Sequence, residues 1–354
     1  MSTPPTIPPT SPPPFGNAST LLTIMGILLI LGGLGCGGGT IAYTVAMPML
    51  LNSSLYTGTA GGPATTTAET FEAMRPMMVL SSILYCGFGL GIAWLGIGSI
   101  RARRWSWKLL VALGWLWVGL VGLGAVSYGF TLPQMMEGMK AGLPRSTGGP
   151  SGSFFVIMMI IGVIFGSMIY VTPGVALIVV YRLRDVRLTC EWRDPAPRWT
   201  DPVPLPILVL WLLLTVSFFS IATFAPMYLG LIKIPGMATL SPMVGRIGWL
   251  TALVLIGFAT RDVAAMRLRG WWLSLSTVIF GTAVAVWTAL HYDVMQMYRE
   301  MKMPEETLRQ MEKMLNGMSY WIPALITGLA MIGYLLWLKR FFAQENQNET
   351  SVAG

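Results

Sequence analysis

What this sequence lacks most is charge. Only 11% of its 354 residues are Asp, Glu, Lys or Arg, against about 25% in an average globular protein. Histidine occurs once and cysteine three times. Each shortage excludes a class of chemistry. Cys36, Cys86 and Cys190 are too few and too widely spaced for a disulfide framework or a CxxC metal site. They read as small buried packing residues, with a contact between Cys36 and Cys86 left open by their similar depth in neighbouring helices. His291 cannot complete a catalytic zinc site, since the nearest acid in sequence is Asp293. No apolar stretch carries an internal Asp, Glu or His, which argues against a proton-coupled transporter and against most intramembrane hydrolases. A serine nucleophile with neither His nor Lys beside it is equally unsupported. Basic stripes interleaved with aromatics on a soluble domain are missing too, so nucleic acid is not a partner. The reading is a non-enzymatic protein without a cofactor.

Apolar residues take the place of charge: 54% of the chain is hydrophobic and the mean hydropathy is +0.64. A helix needs roughly 20 apolar residues to cross a hydrocarbon core about 30 Å thick. Stretches of that length lie near 20–47, 77–100, 109–132, 154–181, 207–232, 243–260, 271–290 and 320–338. The expected fold is an all-α integral membrane protein of about eight transmembrane helices. Residues 1–17 hold seven prolines and no charge, the composition of a disordered tail with PxxP spacings and not of a signal peptide.

Basic residues decide the orientation, because Lys and Arg are retained on the cytoplasmic side. One set of connectors carries Arg101, Arg103, Arg104, Lys108, Arg182, Arg184, Arg187, Arg193, Arg198, Arg261, Arg267, Arg269, Lys339 and Arg340. The other carries nine basic residues that eight acids nearly cancel, leaving +7 on one face and +1 on the other. Both termini are expected in the cytoplasm, in a bacterial inner membrane whose anionic headgroups meet the basic face.

The chain also matches itself. Shifted by 166 residues, 76–105 aligns with 242–271 without a gap, and eight of thirty positions agree, including Pro76 with Pro242, Arg101 with Arg267, Arg103 with Arg269 and Trp105 with Trp271. A weaker echo joins AMPML at 46–50 with APMYL at 225–229. Four helices per half keep both halves in one orientation, so the expectation is two parallel four-helix repeats. Their bounds are 18–189 and 207–342, joined by a proline-rich linker at 190–206 and followed by a cytoplasmic tail at 343–354. Pro76 and Pro242 are expected to start helices, with Ser241 capping the latter, while Pro173 and Pro323 are expected to bend theirs.

Glycine clusters in the first half as GGLGCGGG at 32–39, then Gly87, Gly89, Gly91, Gly96 and Gly98, and Gly162 with Gly166. Small residues four apart let helices approach closely, so the first two helices should pack tightly. The competing reading of 32–39 is an unwound substrate-binding segment. Tryptophans 105, 107, 192, 199, 271, 272 and 321 fall where an aromatic belt would.

Two candidate sites remain. Arg246, one turn inside the sixth helix, either snorkels outward or takes a gating or substrate role, with Asp293 as its partner. Of 25 methionines, 18 map to the less basic face. They concentrate in 292–318, where Met295, Met297, Met301, Met303, Met311 and Met314 could supply thioethers to Cu(I). Residues 304–317 look like an amphipathic helix, and a methionine stripe on such a helix is also ordinary adaptable packing. The leading expectation is a helix-packing or partner-binding membrane protein, its partner another membrane protein or a second copy. The alternative is a transporter of a small neutral or soft-metal solute.

Overall fold

In hydrocarbon every backbone N–H and C=O must be satisfied within the chain, which leaves a helix as the only solution for an isolated apolar stretch. The computed structural model describes residues 16–51, 64–142, 152–225, 242–291 and 321–352, together with 295, 299, 305, 308, 309 and 312. Its helices are α1 (Ser19–Leu51), α2 (Ala64–Ile100), α3 (Arg104–Gly142), α4 (Gly152–Arg182), α5 (Arg184–Arg193), α6 (Leu205–Thr223), α7 (Pro242–Ala264), α8 (Leu268–His291) and α9 (Trp321–Val352). All but α5 contain a segment long and apolar enough to span, giving eight such segments. The protein is an all-α, polytopic integral membrane protein. Residues 1–15, the proline-rich stretch of the expected tail, lie outside the described residues, as does Ser241.

Three proline and glycine expectations need correction. Pro76 lies inside α2, which begins at Ala64 with the polar stretch ATTTAETFEAMR, so it sits where the membrane span begins but does not start the helix. Pro323 is the third residue of α9, in the first turn, where a missing N–H breaks no internal bond and bends nothing. Pro242 does open α7, and Pro173 is internal to α4. A Cβ built on Gly162 or Gly166 meets nothing within 4 Å among the described residues.

The tight α1–α2 pairing is borne out, and GGLGCGGG is helical throughout. A Cβ built on Gly33 would stand 2.3 Å from the Gly89 carbonyl oxygen, and one on Gly89 would stand 2.3 Å from that of Gly33. Gly26 and Gly96 face one another in the same reciprocal way at 2.7 Å. The seam continues through Gly37, whose carbonyl accepts a 3.5 Å contact from the Cys86 thiol, to Thr44, whose hydroxyl lies 2.6 Å from that of Ser82. Cys36, expected to be buried, is exposed one position off this seam. Gly114 against Gly174 and Gly328 against Thr282 mark the α3–α4 and α8–α9 crossings.

Helices α2 and α7 end in the same way. In α2, Ala102 takes a left-handed conformation (φ 47), its N–H bonds the Ser99 carbonyl, and the Arg103 N–H reaches back to Gly98. In α7, Met266 is left-handed (φ 56), its N–H bonds Val263, and the Arg267 N–H reaches back to Asp262. Both are Schellman turns. Four residues into the next helix, Trp107 donates its indole N–H to the Tyr181 carbonyl of α4, and Trp271 donates 2.6 Å to the Leu335 carbonyl of α9. These matched features are 164 residues apart, two fewer than the sequence alignment places them.

Leu110, Ile207, Leu208, Leu210, Leu335 and Leu338 are fully buried, and with α3, α6 and α9 in mutual contact they form an apolar seam among these three helices.

Candidate functional site

The described polar structure gathers at the basic face, where the chain folds a short amphipathic helix and a proline-rich loop under the bundle. α5 buries Val186, Thr189 and Cys190 and leaves its charged side outward. The Thr189 hydroxyl accepts from the Ala18 N–H at 3.3 Å, fixing the start of α1. Burial pushes the Cys190 thiol up to about 12, which makes it a packing group and not a nucleophile. The linker expected at 190–206 is thus helical to Arg193 and then irregular to Pro204.

Asp194 organises the loop. It is 3% exposed, and its carboxylate accepts two bonds from the Arg198 guanidinium, at 2.6 and 3.1 Å, and one from the Arg104 backbone N–H at 3.3 Å. Arg103 stands 3.8 Å away. Asp201 accepts from the Arg198 N–H at 2.9 Å and pairs with Arg104 at 3.1 Å. The Lys108 ammonium caps the Thr200 and Asp201 carbonyls at 2.9 and 2.6 Å. The result clamps 194–201 onto the first turns of α3.

Burial alone would raise the Asp194 carboxyl, but the Arg198 and Arg104 hydrogen bonds and the nearby Arg103 charge outweigh it and hold the group below its ordinary value. A depressed folded value means that this stabilisation is present above the unfolded value of about 3.9 and is lost as pH falls through the folded one. Asp194→Asn keeps the shape and removes the charge. It should lose about 1–3 kcal/mol and show a flatter loss of stability between neutrality and strong acid, read from thermal unfolding in detergent across that range.

Beside this clamp an open cleft of about 370 Å³ is lined by Trp94, Ile97, Trp105, Arg101, Arg103 and Arg198. Trp94 stacks on Trp105 with ring centroids 4.2 Å apart. Arg101 is exposed and makes no ion pair or side-chain hydrogen bond among the described residues, and the only partner of Arg103 there is the distant Asp194 oxygen. On α7 Asp262 is buried and faces Arg267 and Arg269 at 3.7 and 3.5 Å. Arg340 lies over the rings of Trp337 and Phe341.

Of the residues singled out from the sequence, Arg246 is exposed on α7, and Met295 is half-buried. Met297, Met301, Met303, Met311, Met314 and Asp293 lie outside the described residues, as does most of the expected amphipathic segment 304–317. Within that segment 305, 308, 309 and 312 are helical, with Arg309 3.8 Å from Glu305. Among the described residues no three His, Cys, Asp or Glu side chains come together as a metal site would require. The arginine–tryptophan cleft was not foreseen, because Arg198 is about ninety residues distant from the others in sequence; the RxRxW spacing was its one legible trace.

No family model, no curated protein and no solved structure matches this chain.

Proposed function

We propose that the protein is a non-enzymatic membrane component that acts through helix packing or partner binding. It sits in a bacterial inner membrane with both termini in the cytoplasm and is built from two parallel four-helix halves. One observation carries this reading: the seam between the halves is filled by fully buried leucine and isoleucine side chains from α3, α6 and α9, where a transporter would place a polar or methionine-lined path. The matched turns and tryptophan bonds of the two halves support the parallel arrangement, and the +7 basic face supports the orientation.

A second reading, Cu(I) transport, rests on the 18 methionines assigned to the opposite face. One pair of measurements separates the two. A stoichiometric complex with itself or another membrane protein in native mass spectrometry, and no Cu(I) uptake into liposomes, is the expected result. Cu(I) uptake that disappears when Met295, Met297, Met301, Met303, Met311 and Met314 become leucine would replace the packing reading with transport, since leucine keeps the volume and removes the sulfur.

A further inference from the structure

The cleft at the end of α2 has the chemistry of a lipid headgroup site. Three guanidinium groups line it, and among the described residues Asp194 is the one carboxylate that pairs with them, so the lining side chains keep a net positive charge. The Asp194 carboxylate is engaged by Arg198 in a two-bond fork. That leaves the guanidinium of Arg101, and all but one edge of Arg103, as unused donors suited to the oxygens of a phosphate.

The apolar side of the cleft continues straight into the membrane. Arg101, Ile97, Trp94 and Leu90 lie on one helix stripe at spacings of three and four, and the last three are 42%, 57% and 66% exposed. Above Leu90 the stripe passes Gly87, which has no neighbour within 4 Å of a built Cβ, to exposed Ile83. At about 1.5 Å per residue, the eleven steps from Arg101 to Leu90 span about one leaflet of a hydrocarbon core roughly 30 Å thick. A headgroup at Arg101 and Arg103 would therefore lay its acyl chain along Ile97, Trp94 and Leu90, with Trp105 at the boundary where such rings are favoured.

We propose that this cleft binds one anionic phospholipid, its phosphate held by Arg101 and Arg103 and one acyl chain running along the exposed face of α2. Arg198 acts as a positioning residue, held by Asp194 at the cleft wall. A neutral zwitterionic lipid offers the same phosphate but carries its own cation into a cleft that is already positive, so anionic lipids are selected.

The test uses the full chain purified in a neutral detergent, with phosphatidylglycerol, phosphatidylcholine and inorganic phosphate as separate probes. Native mass spectrometry should show one phosphatidylglycerol retained at least tenfold more tightly than phosphatidylcholine. The double variant Arg101→Gln/Arg103→Gln should lose that preference, and Arg184→Gln, an exposed arginine elsewhere on the basic face, should keep it. A diazirine-bearing phosphatidylglycerol added to the unmodified protein should label residues 90–105, a readout that needs no variant to fold. Equal loss in Arg184→Gln, labelling spread over the whole basic face, or inorganic phosphate competing as well as the lipid would each overturn the proposal.

Discussion

Gly33→Ala will loosen α1 from α2, while Gly35→Ala, two residues along the same helix, will leave the protein as stable as before. The two substitutions add the same atom to the same helix. At Gly35 that atom meets nothing within 4 Å; at Gly33 it meets the Gly89 carbonyl oxygen at 2.3 Å and the Ala93 nitrogen at 3.1 Å. Both obstacles are backbone, so no rotamer relieves them and the helices must move apart. Separation would be felt along the whole seam, at Gly26 against Gly96, at Cys86 on the Gly37 carbonyl and at the 2.6 Å Thr44–Ser82 contact. Overpacking a well-fitted contact costs about 1–3 kcal/mol and sometimes more, and this clash lies at the upper end because the atoms it meets are backbone. Without a hydrophobic drive between helices in lipid, close backbone approach is the main source of their association. Reversible unfolding by SDS titration should show a loss near or above 3 kcal/mol for Gly33→Ala and within about 0.5 kcal/mol for Gly35→Ala. Equal stability of the two would mean that α1 and α2 do not cross this closely.

The same comparison shows how far the sequence could be read. Eight apolar runs announce eight helices because bilayer thickness sets a length that composition alone reveals. Glycine enrichment correctly pointed to the α1–α2 pair, yet it could not tell Gly33 and Gly37 from Gly32, Gly35, Gly38 and Gly39, where a built Cβ meets nothing within 4 Å among the described residues. Which side of a helix meets its partner depends on where the partner lies. Pro76 misled for a related reason: the polar residues before it continue the helix beyond the apolar run, and hydropathy marks where a span begins, not where a helix does. α5 was missed because RDVRLTCEWR is charged at half of its positions and buries only Val186, Thr189 and Cys190. The cleft joins the α2–α3 turn to Arg198, and only the fold of the 194–201 loop around Asp194 brings them together. The less basic face with its methionines and Asp293 lies largely outside the described residues, so the copper and Arg246–Asp293 readings stand as the sequence left them.

Tryptophan substitutions decide the register in which the two proposed repeats correspond, and Trp271→Ala should have the largest effect of any single substitution on α8. Trp271 is 1% exposed, donates its indole N–H to the Leu335 carbonyl, meets Trp272 edge-on at 4.6 Å and carries the Lys339 ammonium 5.5 Å above its ring. Truncating a buried tryptophan costs about 3–5 kcal/mol, here with the α8–α9 contact as the part released. The sequence alignment pairs this residue with Trp105, whereas the hydrogen bonds pair it with Trp107, which donates to Tyr181 and carries Arg187 5.6 Å over its ring. Phenylalanine tests the choice, because it keeps most of the apolar bulk and removes only the donor. Trp271→Phe and Trp107→Phe should each lose about 1 kcal/mol. Trp105→Phe should lose less than about 0.5 kcal/mol, since the Trp105 indole nitrogen has no hydrogen bond among the described residues and the ring stacks on Trp94 through its face. A neutral Trp107→Phe beside a costly Trp105→Phe would return the correspondence to 166 residues and would mean that the matched turns at Ala102 and Met266 are coincidence. The expected order makes the tryptophan-to-carbonyl bond the shared device that ties α3 to α4 and α8 to α9 at the basic face.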